Sequence, residues 1–328
     1  MKIVILHTKD AAGPPEDPVL GQLEGALHAN GHETTRLMVD DSVEPLVSAL
    51  TREEPELVFN ICESYGGKSA LESNVAALLN LLGLRYTGSS PAGLIQAGDK
   101  TLTKKVLSFH GIKTAKFATV YRGAVDWAGD DIEFPLIVKP PQEDASIGVT
   151  QKSIVRNPQE LLQTIGALQA EYQSPALIEQ FIEGREFYVG VLGNANAKAL
   201  PVIEMDFSKF PAHLPKIASY EAKWGEGGEG GGAEFAGTES VFPENLDPEL
   251  ERRMHEVAVA AFQALRLRDY ARIDLRVTEA GEVYVIEVNP NCYLEENGEF
   301  ARAARRAGYE YTALIGTIVE LAAARYSR

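Results

Sequence analysis

Two rhythms of apolar and polar positions run along the chain. In the first third, short solid apolar runs alternate with helical stretches. KIVIL reads as a strand, VLGQLEGALHANG as a helix stopped at Gly31, and ELVFNIC as a second strand. SALESNVAALLNLLG reads as a helix that opens with a capping box, Ser69 with Glu72, and closes on Gly83. RYTGSS follows as a short strand and turn, and GDKTLTKKVLSFHG as a helix ended by Gly111. This alternation predicts a parallel sheet covered by helices.

From about Ile112 the rhythm shortens. AKFATV, FPLIVKP, VTQKSIV, ALIEQFI and EFYVGVL read as crowded strands, interrupted by the helix NPQELLQTIGALQAEY with Asn157 as N-cap and Pro158 at its first position. This pattern predicts a small antiparallel α+β unit. From about Gly190 come the strand KALPVIEMDF, the glycine-dense segment YEAKWGEGGEGGGAEFAGTES, and a helix from Pro248 capped by Asp247. A strand pair YARIDLRV and VYVIEVN follows, then closing helices in GEFARAARRAG and EYTALIGTIVELAAARYS. The glycine-dense segment fits a flexible linker and a mobile lid equally.

The strand pair raises a question of charge. Glu287 and Asn289 share one face near the end of an otherwise β-branched strand. A tight turn at Ala280-Gly281 pairs Glu279 with Glu282, Asp274 with Glu287 and Arg272 with Asn289. Opposed carboxylates repel unless a cation lies between them. A hard divalent ion would resolve the conflict, making Asp274, Glu287 and Asn289 a metal–nucleotide site. A solvated face neutralised by Arg272 and Arg276 would resolve it too.

Composition narrows the classes. The 328 residues are 45% hydrophobic and 24% charged, ordinary for a globular chain. Lys and Arg number 31 against 47 Asp and Glu, a net charge of −16 that argues against nucleic acid or an anionic membrane as partner. The two cysteines, Cys62 and Cys292, make neither a disulfide framework nor a zinc spacing. The apolar part of MKIVILHTKD is too brief for a signal peptide, and no apolar run reaches membrane-spanning length, so a cytoplasmic location is expected.

Lys139 ends a buried strand and leads into a loop with Ser146 and Gly148, where backbone N–H groups can approach phosphate oxygens. Neither a Walker loop nor a Gly-x-Gly-x-x-Gly turn is present. Glu179 and Glu186 sit at strand margins, suited to an amino group or ribose hydroxyls, with Phe181 and Ile182 between them.

Lys100 in GDKTLTKKVL, Lys139 in IVKP, Glu179 to Ile182, Glu186, and RIDLRV with VIEVNPN come in the order of the ATP-grasp superfamily. With LLGLRYTGSSPAGLIQAGDKTLTK, ALIEQFIEGREFYV, YEAKW and ARIDLRV, the chain resembles D-alanine–D-alanine ligase and related carboxylate–amine ligases from about Leu57 onward. The resemblance implies an α/β and α+β ATP-grasp fold in three parts. These are an N-terminal Rossmann-like parallel-sheet domain over 1–98, a central α+β lid subdomain over 99–189, and a C-terminal mixed-sheet subdomain over 190–328. It implies ATP and Mg²⁺, or Mn²⁺ in its place. Lys100 and Lys139 would bind phosphates, under a loop from Pro140 to Gly148 that includes Ser146. Glu179, Phe181 and Ile182 would hold adenine, and Glu186 the ribose. Asp274, Glu287 and Asn289 would hold metal, and Arg272 would stabilise the acyl-phosphate transition state and the tetrahedral intermediate. Lys223, both catalytic and nucleotide-binding, and Trp224 would sit on a lid.

The pattern breaks on the amino-acid side. In PNCYLEENGEF, Tyr293 stands where the family has a glycine and Gly298 about where it has a serine; HTKDAAGPPED replaces the family's first glycine-rich turn with its substrate-binding glutamate. The expected reaction is therefore amide or peptide bond formation through an acyl phosphate, on an amino acid, peptide or amine other than D-alanine. A non-amine acceptor and a nucleotide-binding protein without turnover are the alternatives. By analogy with relatives the protein is expected to form a homodimer.

Overall fold

The computed structural model describes residues 1–8, 17–121, 124–127, 131–143, 147–209, 215–217 and 239–326. The first unit alternates β1 (Lys2–Thr8), α1 (Pro18–Ala29), β2 (Glu33–Val39), α2 (Val43–Glu53), β3 (Leu57–Ile61) and α3 (Glu72–Leu81). Its sheet is parallel, in the order β2-β1-β3. Ile3 and Ile5 face one apolar core while Val4 and Leu6 face another. Burial on both faces is why β1 reads as a solid apolar run. The structure adds β2 and α2 to the expected elements. β2 is an edge strand, ETTRLMV, whose half-exposed alternation carries a weak signal.

The expected capping box at Ser69 is not formed. Residues Ser69–Leu71 make a 3₁₀ turn, α3 starts at Glu72 with no side-chain cap, and Glu72 turns inward. α4 (Pro91–Gly98), capped by Ser90, precedes α5 (Lys100–Phe109), capped by Asp99, whose Oδ1 accepts from Leu102 N at 3.0 Å. That cap sets Lys100 in the first turn.

β4 (Phe117–Tyr121), β5 (Ala124–Trp127), β6 (Leu136–Lys139), β7 (Ile154–Val155), α6 (Pro158–Tyr172) and β8 (Ala176–Gln180) form the central unit. Its antiparallel sheet runs β5-β4-β8-β6-β7 and packs on α6, with Asn157 as the cap expected there. The strand expected over VTQKSIV is mostly a 3₁₀ turn; only Ile154 and Val155 pair.

A six-stranded sheet follows, built from β9 (Arg185–Leu192), β10 (Lys198–Ala199), β11 (Ile203–Asp206), β12 (Glu239–Val241), β13 (Tyr270–Val277) and β14 (Val283–Asn289). β9 spans position 190 and lies in this sheet along its whole length. One face packs on α7 (Pro248–Ala264), which Asp247 caps as expected. At one end of the opposite face, Tyr188, Leu192 and Tyr270 join the core formed by α1, α8 (Glu299–Arg306) and α9 (Tyr311–Arg325). The other end of that face lines a cleft against the central sheet. No helix among the described residues is long and apolar enough to cross a membrane.

Candidate active site

The β13–β14 hairpin builds one wall of the cleft. Asp274 pairs with Glu287 and Arg272 with Asn289, as counted from the sequence, but the turn differs. It is longer than two residues: Val277 pairs with Val283, and Thr278 N donates to Glu282 O at 3.0 Å. Near the turn the register is thus one residue off. A bulge at Ile286 restores it, because Leu275 pairs with Val285 and Asp274 with Glu287. A regular strand would have put Val285 and Glu287 on the same face. The bulge keeps Val283, Val285 and Val288 in the core while Ile286 and Glu287 line the cleft.

Arg272 grips Asp274 through two parallel bonds, Nε to Oδ1 at 2.8 Å and Nη2 to Oδ2 at 2.9 Å. It lies over the Tyr188 ring at 4.7 Å, with Glu299 Oε2 at 3.8 Å from Nη1. Burial works to lower the Arg272 pKa, but Asp274 outweighs it and the guanidinium titrates above its usual range. Asn289 Nδ2 donates to Asp274 Oδ2 at 3.2 Å.

The cleft, partly open to solvent, brings Lys100, Lys139 and Glu179 together with Asp274 and Glu287. Phe181, Ile182 and Glu186 complete the expected nucleotide set along it. Lys100 Nζ lies 2.9 Å from Glu287 Oε1 and donates to Glu143 O at 2.6 Å. Glu179, with a side chain only 3% exposed, sits between Lys139 on Oε2 and Lys104 on Oε1, each at 3.1 Å. Burial raises the Glu179 pKa, and the two lysines more than reverse this, so its carboxyl titrates below the usual range. Arg276 Nη2 donates to Glu186 Oε2 and to Lys216 O, both at 2.6 Å, and Tyr188 OH donates to Glu186 Oε1 at 3.0 Å. Ser146, Lys223 and Trp224 lie outside the described residues.

Sequence reasoning missed Lys104 and the part played by Arg276. Lys104 follows Lys100 by one helical turn, inside a quoted motif. Arg276 is two residues beyond Asp274 on the same strand face. Both signals were spacing signals.

Past β14 the chain turns toward the first unit. Asn291 Nδ2 donates to Cys62 O at 2.9 Å and to the buried Glu72 at 3.3 Å, while Tyr270 OH donates to Asn291 Oδ1 at 2.8 Å. Tyr293 OH donates to Asp17 Oδ1 at 2.7 Å, tying this turn to the N-cap of α1. Gly298 caps α8 without a side chain. Glu295 accepts from Gln22 at 3.0 Å, Glu299 accepts from Ser240 at 2.9 Å, and Arg305 lies 3.4 Å from Glu296. These acids thus have partners within the chain. Burial pushes the Cys292 thiol up to about 12 and raises Cys62 as well, so neither is a thiolate nucleophile at neutral pH.

No three acidic, His or Cys side chains converge to hold a metal among the described residues. Asp274, Glu287 and Asn289 do converge as two carboxylates and an amide. That all-oxygen set suits a hard divalent cation that takes its remaining oxygens from a phosphate substrate.

Comparison with known proteins bears on the family and the fold. The family model described as D-ala D-ala ligase C-terminus matches residues 105–320. An uncharacterised protein of Sinorhizobium fredii is 31% identical over 322 residues, covering 95% of this chain and 89% of its own length. The D-alanine–D-alanine ligase of Geobacter sulfurreducens is 32% identical over 270 residues, covering 82% and 77%. In fold, the chain is similar to the D-alanine–D-alanine ligase of Bacillus anthracis solved with ATP. The TM-score is 0.72 at 24% identity, with 98% of this chain and 97% of that one covered.

Proposed function

Because the chain belongs to the ATP-grasp D-alanine–D-alanine ligase family, whose enzymes form carbon–nitrogen bonds, we propose that it joins a carboxylate to an amine through an acyl phosphate, releasing ADP and phosphate. The observation that carries this reading is the Asp274–Glu287 pairing, with Lys100 and Lys139 across the same cleft. Two acids and two lysines facing one space suit a polyphosphate bound with its cation.

In this reading the adenine lies between Ile137 and Ile286, with its amino group toward Glu179. Glu186, held by Arg276 and Tyr188, takes the ribose. Lys100 and Lys139 bind phosphate oxygens and neutralise the charge of the group in transfer. Mg²⁺, held by Asp274, Glu287 and Asn289, would supply further neutralisation of the phosphates. Arg272, fixed by Asp274 through Nε and Nη2, keeps Nη1 to stabilise the carbonyl oxygen on which negative charge would develop. Ser146 and Lys223 are proposed as additional phosphate contacts. Water must be kept out while the acyl phosphate exists.

The acceptor side favours a substrate other than D-alanine. Tyr293, whose hydroxyl donates to Asp17, puts a large side chain where the family has a glycine, and Gly298 offers no hydroxyl for a substrate carboxylate. A substrate carboxylate bound there without a hydrogen-bonding partner carries a desolvation cost that an uncharged or amine-bearing group avoids. The test is a panel of amino acids, dipeptides and small amines with ATP and Mg²⁺, read by ADP release and product mass. An amide product from a partner pair other than D-alanine with D-alanine is expected. Efficient D-alanyl-D-alanine synthesis would refute the substrate claim. An ester or thioester product would refute the amine acceptor, and an absence of any substrate-stimulated ADP release would refute turnover.

Lys139→Met is expected to weaken ATP binding by roughly tenfold or more, since a charged hydrogen bond contributes about 1.5–3 kcal/mol. Adenosine affinity should hardly change. Equal ATP affinity of mutant and wild type by calorimetry would remove Lys139 from the phosphate site.

A further inference from the structure

Two lysines hold Glu179, and their positions differ. Lys139 ends β6, lines the cleft and has an 11% exposed side chain. Lys104 lies behind Glu179 on α5, with a 2% exposed side chain, and is not part of the cleft wall. Its ammonium also donates to Thr114 Oγ1 at 2.6 Å. Lys104 therefore does not line the cleft, and its link to the cleft is through Glu179.

On the proposed function, Lys139 turns to phosphate when ATP binds. Glu179 would then be a carboxylate with a 3% exposed side chain that has lost one of its two cations. An unpaired buried carboxylate takes up a proton rather than keep its charge. We propose that Lys104 is a positioning residue that keeps Glu179 ionised and fixed after Lys139 has moved to the phosphates, and that it thereby sets the preference for a 6-amino purine. The proposal rests on the nucleotide reading of the cleft.

The chemistry is specific. Ionised Glu179 only accepts hydrogen bonds, so it favours the amino group of ATP and repels the 6-oxo group of ITP. Protonated, it can donate to that oxo group, and the discrimination falls. The charged groups around it are Lys104 and Lys100 from α5 and Lys139 from β6, with the Glu186–Arg276 pair further along the cleft. Removing Lys104 leaves burial, which raises the carboxyl pKa, opposed by Lys139 alone. Nucleotide binding then withdraws Lys139. In the variant, protonation of Glu179 should thus rise as pH falls, and the ATP preference should be lost toward low pH.

The experiment measures Kd for ATP and for ITP, both with Mg²⁺, by calorimetry from pH 6 to pH 8. Wild type should prefer ATP across this range. Lys104→Met should lose roughly tenfold or more of the ATP-to-ITP preference, about 1.4 kcal/mol, with the loss greater at pH 6. An unchanged preference in Lys104→Met overturns the proposal. A wild type that binds both nucleotides equally overturns the reading of Glu179 beneath it, which separates the two failures. If Lys104→Met does not fold, Glu179→Gln is compared with the double variant Lys104→Met/Glu179→Gln, which removes the buried Lys104 ammonium that Glu179→Gln leaves without a carboxylate. Equal ATP-to-ITP preference in those two supports action through Glu179 alone, and a further severalfold change in the double variant overturns it.

Discussion

Glu287→Gln should lower the rate of ATP-dependent turnover by at least about 10²–10³, the scale on which a single stabiliser of transition-state charge acts. The protein should still fold, at a cost of about 1–3 kcal/mol. Glu287 is at the cleft edge with 19% of its side chain exposed, and the buried Lys100 Nζ lies 2.9 Å away. Glutamine keeps the shape and an acceptor oxygen for Lys100, which also donates to Glu143 O. The role as cation ligand needs the negative charge, which glutamine lacks. ADP release with the best substrate pair of the panel, titrated with Mg²⁺, measures the effect. Circular dichroism and urea unfolding check the fold. A folded Glu287→Gln protein with wild-type turnover at saturating Mg²⁺ would remove Glu287 from the cation site.

The strand pairing that positions this residue was legible in the sequence, though through a turn that proved wrong. A tight turn at Ala280-Gly281 gives Asp274 opposite Glu287, and the structure has that pair. It reaches it through a longer turn and a compensating bulge. The bulge had its own signal: Val283, Val285 and Val288 cannot all face the core of a regular strand, because the last spacing breaks period two. The buried charges behind the cleft were harder to read. Lys104 sits in an ordinary amphipathic helix pattern, where a lysine reads as solvent-facing; its spacing puts it on the face of Lys100, but only the pairing with Glu179 explains its burial. Glu72 misled in the opposite sense. Its spacing from Ser69 fits a capping box, but tertiary contact with Asn291 draws the side chain inward and the local motif is not formed.

Asp274→Ala should be the most destabilising single change at the site, by about 3–5 kcal/mol, because it leaves a buried guanidinium without its carboxylate. Arg272 has only 16% of its side chain exposed, and both of its short bonds end on Asp274. Glu299, at 3.8 Å, is too distant to replace them. Asn289 loses its acceptor as well. The cost arises from the partner left behind rather than from the bond itself, and this suggests a control. In Arg272→Met/Asp274→Leu both charges go together and the volume is kept. That double variant should recover most of the lost stability in urea unfolding yet remain inactive in the ADP-release assay. Recovery of stability without recovery of turnover separates what the pair does for the fold from what it does for the chemistry. An Asp274→Ala protein within about 1 kcal/mol of wild type would mean that Arg272 finds water or another acid in place of Asp274. The guanidinium would then lack the fixed direction on which its proposed place beside the reacting carbonyl depends.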